Sequence, residues 1–256
     1  MNTTNHDPAV ADAVGAGFIG FHAYPTNGGY SPDPSTFKRM FDYADTLLAT
    51  VARVDAVIAA LSPSTRTVLD ETGTDMDGVL AGGLSPPGDN PRYWVASAGY
   101  WAYIYARAAN ESSTVVQVGA SQFMDAPGQE PSVSMVDWAT GLGTARFWAV
   151  RLLIESLSLG DSIVATTASA VGNDADALFA MGFAGQGQGL RQLLLINKRN
   201  AFASVALRCG GGVPCTCSSY KVIDEANGLS PARTETCDSS GTVLLAPYAL
   251  AVVLIQ

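Results

Sequence analysis

Charge is scarce in this chain. Of its 256 residues only 14% are charged, while 48% are hydrophobic. That balance excludes a disordered chain and a coiled coil. It leaves a globular α/β or β protein, long enough for one large core or two smaller ones. Basic residues are the rarer sign: 14 Lys and Arg stand against 23 Asp and Glu, a net charge of −9. A chain so acidic argues against nucleic acid and against anionic membrane surfaces as partners. It fits a neutral partner such as a sugar.

Other absences narrow the reading further. No run of about eighteen apolar residues occurs, so no membrane span is expected. The amino-terminal stretch MNTTNHDPAVADAVG has neither a basic segment nor an apolar core and is not a signal peptide. The tail VLLAPYALAVVLIQ follows small residues but lacks the polar spacer of a lipid-anchor signal, and Pro247 interrupts it. It reads as a buried last strand. No G-x-S-x-G is present, which removes the usual nucleophile elbow of α/β hydrolases. No internal repeat and no low-complexity linker interrupts the chain.

Cysteine is absent from the first four fifths of the sequence. Cys209, Cys215, Cys217 and Cys237 have C-x5-C-x-C spacing at their start and no histidine nearby. Two C-x-x-C knuckles, as a structural zinc site needs, are missing. A disulfide across the RCGGGVPC hairpin and a second to Cys237 fit the pattern, with three connectivities open. The sequons at Asn2 and Asn110 agree with an extracellular or secretory location. No metal and no cofactor is expected.

What the chain does contain is a βα rhythm. GFIGFHAY, residues 17–24, is an apolar strand ending in His22 and Tyr24. Asp33-Pro34 supplies an N-cap and a first-turn proline. Phe37, Phe41, Ala44, Leu48, Val51, Val54, Ile58 and Leu61 then recur at helical spacing, predicting a helix over 35–61. A short strand, 67–71, ends in the carboxylate pair Asp70-Glu71. An aromatic-rich helix is predicted over 92–110, a third strand ending near Gln122, a loop carrying Asp137 and Trp138, and a third helix over 144–158. Strand-loop-helix three times over is the grammar of a parallel sheet with covering helices. In such folds the carboxyl ends of the strands form the active face. His22, Tyr24, Asp70, Glu71 and Gln122 all fall there. After Gly160 the texture changes to strand-like runs with short turns, read as an antiparallel sandwich. The expected organisation is therefore α/β over residues 1–160 and all-β over residues 161–256.

Taken in order, FHAYP, LDETGT, VVQVGASQF, TGLGTARFWAVRLLIESLSLGD and LLLINKRN resemble the carboxyl-terminal part of clan A retaining glycoside hydrolases. The nearest textures are families that end in a β-sandwich: β-glucuronidase and heparanase-like enzymes, β-xylosidases and α-L-arabinofuranosidases. The resemblance implies the last three βα units of a (β/α)8 TIM barrel followed by a β-sandwich. It implies Glu71 as catalytic nucleophile, with His22, Tyr24, Gln122 and Trp138 as substrate-binding residues and a carbohydrate as substrate. A retaining glycosidase attacks the anomeric carbon with one carboxylate and uses a second carboxyl group, about 5 Å away, as acid and then base.

The chain departs from that pattern in one respect. The resembled families take their acid/base from an Asn-Glu pair in an earlier βα unit, and nothing here supplies it. Glu111 falls at a helix end and Glu130 in a loop. Three strands cannot close a barrel, and a complete one takes about 250 residues. The expectation is a fragment that carries the nucleophile and is inactive alone. Its missing amino-terminal half would join it, or it would self-associate at the open sheet edge. The alternative is a non-catalytic carbohydrate-binding or structural protein on a degenerate scaffold. At the level of single residues, Glu71 has a solvated strand end as its plain alternative, and Asp70 is a structural acceptor or the nucleophile in its place. The aromatics of the second helix are read as packing. Glucuronide, xyloside and arabinofuranoside all remain open as substrates.

Overall fold

A computed structural model describes residues 17–24, 33–74, 90–120, 123, 134–137, 140–169, 174, 176–185, 191–238 and 240–255. The first half alternates strand and helix: β1 (Phe18–Ala23), α1 (Lys38–Leu61), β2 (Arg66–Thr72), α2 (Pro91–Glu111), β3 (Val115–Ala120) and α3 (Ala145–Ser156). The strands pair in the order β1-β2-β3, both pairs parallel. Local chemistry sets the helix starts. Asp33 accepts from the Ser35 amide at 2.9 Å ahead of Pro34, and α1 is entered through a single 3-10 turn, a common device at helix starts. Asn90 accepts from the Tyr93 amide at 3.2 Å with Pro91 at the first helical position.

The predicted apolar stripe of α1 is buried from Met40 to Val51 and again at Ile58, but Leu61 at the helix end is exposed. Helix α2 is the hub. Tyr93, Trp94, Tyr100, Trp101 and Tyr103 are all buried, so its aromatics do pack rather than face solvent.

The second half is antiparallel. β4 (Ser162–Val164), β5 (Leu178–Ala184), β6 (Arg191–Asn197), β8 (Cys217–Ile223), β9 (Arg233–Thr236) and β11 (Leu250–Ile255) form one sheet in the order β4-β5-β6-β11-β8-β9. β7 (Ala203–Ala206) pairs with β10 (Thr242–Leu245) as a two-stranded ribbon. Met181, Leu194, Ile196, Leu250 and Val252 pack with the helices, while Leu193, Leu195, Ala251 and Val253 pack with the ribbon. Burial on both faces explains why RQLLLIN and LAVVLI read as nearly unbroken apolar runs rather than alternating ones.

The tail is two strands, not the single one its composition predicts. Pro247 cannot donate to a ladder, and the chain turns there, with Tyr248 at φ 59° and its amide donating to the Arg199 carbonyl at 3.0 Å. The Tyr248 hydroxyl donates to the Pro34 carbonyl at 2.5 Å, and the Tyr103 and Phe179 rings meet edge-to-face at 4.9 Å. Gly99 lets α2 approach this layer: a Cβ there would stand 3.3 Å from Ile196 and Phe41 side-chain atoms. All four cysteines are paired, Cys209 with Cys215 and Cys217 with Cys237.

Candidate active site

The central strand β2 is irregular at its carboxyl end. From Val68 to Glu71 it advances three residues while β1 advances two, from Gly20 to His22. On the other side, Leu69 to Thr72 spans three residues against Val118 to Ala120. One extra residue is therefore inserted at Asp70-Glu71, a bulge. Burial records the same slip. Thr67 and Leu69 are buried, and the next buried position is Thr72. With strict alternation Glu71 would share the face of Leu69 and point into the helical layer. The bulge turns it to the opposite face, where His22 stands beside it in register.

Glycine makes the bulge possible on the β3 side. A Cβ at Gly119 would lie 2.4 Å from the Asp70 carbonyl oxygen and 3.0 Å from its carbon. The Thr72 hydroxyl donates to the Gly119 carbonyl at 2.9 Å, locking the strand just past the irregularity.

Glu71 is held at both oxygens. Tyr24 donates its hydroxyl to Oε1 at 2.5 Å, and His22 Nδ1 lies 2.8 Å from Oε2. The other ring nitrogen, Nε2, stands 3.6 Å from Asp70 Oδ2, so the imidazole sits between the two carboxylates. The site is open: the Glu71 side chain is 33% exposed and that of His22 59%. Below it, toward the amino ends of the strands, the same sheet face carries Phe18 at 64% exposure, paired in register with Arg66. The arrangement can present a fixed carboxylate, with donors on either side, to a ligand arriving over the sheet face.

His22, Tyr24 and Glu71 thus converge. Gln122 and Trp138 lie outside the described residues, as does Glu130. Glu111 closes α2, where Arg107 pairs with it, and β3 begins four residues later; it therefore lies at the opposite end of the sheet from Glu71. No cluster of three or more metal-ligating side chains exists among the described residues. No helix there is long and apolar enough to cross a membrane.

One group at the site went unnoticed in the sequence. Arg146, on the first turn of α3, is completely buried. It donates to the Thr74 carbonyl at 2.9 Å, to the Tyr93 hydroxyl at 3.2 Å and to the hydroxyls of Ser97 and Thr74. Its guanidinium also lies 5.3 Å from the Trp94 ring centre. The preceding T-G-L-G-T, a loop that delivers a helix start, was the available signal; nothing in the helix pattern separates Arg146 from a surface arginine.

No protein-family model matches the chain, and no curated protein matches it by sequence. Solved structures do. An arabinofuranosidase superposes with TM-score 0.64 at 15% identity, covering 98% of this chain and 56% of its own. An α-L-arabinofuranosidase from Thermotoga maritima, in complex with arabinose, gives 0.62 at 14% identity over 97% and 56%. A bifunctional glucanase-xylanase from a metagenome library gives 0.56 at 15% identity over 97% and 46%. The chain has the fold of about half of these arabinofuranosidase and glucanase-xylanase structures. The chain spans roughly half the length of the structures it matches, and no closed barrel forms among the described residues. At such identities the likeness establishes the fold and leaves the chemistry to the site.

Proposed function

We propose that the chain is the nucleophile-bearing part of a retaining O-glycosidase, its first half being three βα units of a TIM barrel and its second a β-sandwich. The observation that carries this is Glu71: a bulge turns it out of the helical layer, and Tyr24 and His22 fix both of its oxygens. One Glu71 oxygen attacks the anomeric carbon as the glycosidic C–O bond breaks, and the leaving oxygen takes a proton from an acid. Water then attacks the glycosyl ester at the same carbon and returns a proton to that group, now acting as base. His22, with nearly three fifths of its side chain exposed, stands where it can also meet a sugar hydroxyl while Tyr24 holds Glu71.

Among the described residues Glu111 stands at the opposite end of the sheet from Glu71, so we assign the acid/base to polypeptide that would cover the open face of β1–β3. The isolated chain is accordingly expected to hydrolyse aryl glycosides negligibly. The two disulfides fit an oxidising, extracellular or secretory compartment. The substrate class is a glycoside, with glucuronide, xyloside and arabinofuranoside as the candidates.

Epoxide-bearing mimics of arabinofuranose, xylose and glucuronic acid test the nucleophile directly, since they alkylate the attacking carboxylate. Peptide mapping by mass spectrometry should place the adduct on Glu71 when the chain is joined to the βα units that supply an acid/base. An adduct on Asp70 would transfer the role to that residue. No adduct in the joined protein would favour the second reading, a carbohydrate-binding scaffold without chemistry.

A further inference from the structure

A fully buried arginine needs a reason. Arginine is almost never completely buried unless paired, and an apolar side chain of similar volume commonly serves stability as well or better. What a guanidinium adds is a rigid fork of donors. In this chain the fork grips the exit from β2. Arg146 reaches Thr74 at both its carbonyl and its hydroxyl, and Thr74 is three residues beyond Glu71. Tyr93 and Ser97 of α2 complete the cluster: the Thr74 hydroxyl meets Ser97 Oγ at 2.6 Å and the Tyr93 hydroxyl donates to the Thr74 carbonyl at 2.9 Å. All four residues are shut off from solvent.

The grip transmits to the carboxylate through a short, pinned segment. Thr72 is tied to β3 through the Gly119 carbonyl, and the Gly73 amide donates to the Ala23 carbonyl at 3.3 Å. Ala23 immediately precedes Tyr24, the residue that holds Glu71 Oε1. Between Thr72 and Thr74 the chain is therefore fastened to both neighbouring strands and to two helices. Loosening Thr74 releases the Gly73–Ala23 link, and with it the relative placement of Glu71, Tyr24 and His22.

We propose that Arg146 is a positioning residue for Glu71, acting through Thr74 rather than by touching substrate. The role rests on the nucleophile reading above, but its test does not. The sequence holds only two histidines, His6 and His22, so ring-nitrogen NMR of the full chain gives two sets of signals, with His6 as internal reference. At a pH where imidazole is neutral, His22 should show the Nδ1-protonated tautomer imposed by Glu71 Oε2. Arg146→Met should lose that signature in favour of the mixture of an unconstrained imidazole, and Arg146→Lys should keep part of it. Near-UV circular dichroism confirms that each variant is folded. Should Arg146→Met not fold, Thr74→Val and Ser97→Ala each remove one hydroxyl from the cluster and should shift the His22 signals in the same direction. A folded Arg146→Met, or a folded Thr74→Val, with the wild-type His22 spectrum overturns the proposal. A purely structural Arg146 would lower the melting temperature and leave those signals where they were. Because no glycoside enters the measurement, failure here and failure of sugar-mimic labelling at Glu71 are separate results.

Discussion

Gly119→Ala is the sharpest probe of the bulge. The methyl carbon would stand 2.4 Å from the Asp70 carbonyl oxygen, 3.0 Å from its carbonyl carbon and 3.4 Å from the Leu69 carbonyl oxygen. Comfortable non-bonded separations begin near 3.5 Å, so the deepest overlap is about 1 Å. Every atom met is backbone, and no rotamer can relieve it. β2 and β3 must part, or the bulge must flatten and return Glu71 toward the helical layer. Overpacking of this kind costs ~1–3 kcal/mol, and the rigidity of the obstacle puts this case near ~3 kcal/mol. For a chain of this size that is a fall in melting temperature of roughly 6–12 °C. The matched control is Gly17→Ala, where a Cβ meets nothing within 4 Å. Urea unfolding followed by tryptophan fluorescence measures both. A Gly119→Ala variant within ~0.5 kcal/mol of wild type, the range of an ordinary surface change, would refute the close approach and with it the account of why Glu71 faces His22.

Three further expectations follow from the structure. The Cys217–Cys237 bridge closes a separation of 20 residues and Cys209–Cys215 one of 6, so chain entropy assigns them roughly 3 and 2 kcal/mol; a Cys217→Ser/Cys237→Ser pair should lower urea stability more than Cys209→Ser/Cys215→Ser, and the reverse order would count against the pairing. Burial pushes the hydroxyls of Tyr105 and Tyr248 up to about 12 from an ordinary value of 10.0. The folded state then keeps protons that the unfolded chain gives up, so stability should fall as pH rises between about 10 and 12, and Tyr248→Phe should make that fall shallower. In a protein joined to its acid/base-bearing part, Glu71→Ala should abolish turnover and added azide should restore it with inverted product, while Asp70→Ala should disturb turnover less; full activity without Glu71 would end the nucleophile reading.

The parallel βα order was legible because the local signals agreed with one another. Asp33-Pro34 supplies an N-cap and a first-turn proline, and the apolar stripe after it recurs at helical spacing. The bridge across RCGGGVPC was legible too, since its tight Gly-rich turn, with Gly211 at φ 78°, leaves two cysteines facing each other. The bulge was not. Alternation along TRTVLDET counts positions along one strand, whereas the extra residue appears only in the register with β1 and β3. The choice of Gly119 is likewise a fact about Asp70 across the sheet, 49 positions away in the numbering. Arg146 was hidden for the same reason, its partners coming from two other elements. Strand β9 escaped because RTET is short, polar and at a sheet edge, where little apolar signal is required.

The candidate site and the open sheet face are physically connected. The face of β1–β3 away from the helices is graded: Phe18 is at one end, while His22, Asp70 and Glu71 are at the other. A face closed by further strands would bury that ring as core and leave the carboxylates at the rim of the enclosed space, where low dielectric strengthens each of their interactions. β1 and β3 are also each paired on one side only among the described residues, which leaves rows of backbone groups ready to extend the sheet. The bulge that presents Glu71 makes sense in that setting, since it spends regular pairing in the central strand to aim one carboxylate across the sheet face. On the proposed glycosidase reading, polypeptide covering that face would stand opposite Glu71, where a second carboxyl group would be needed for a glycosidic bond to break.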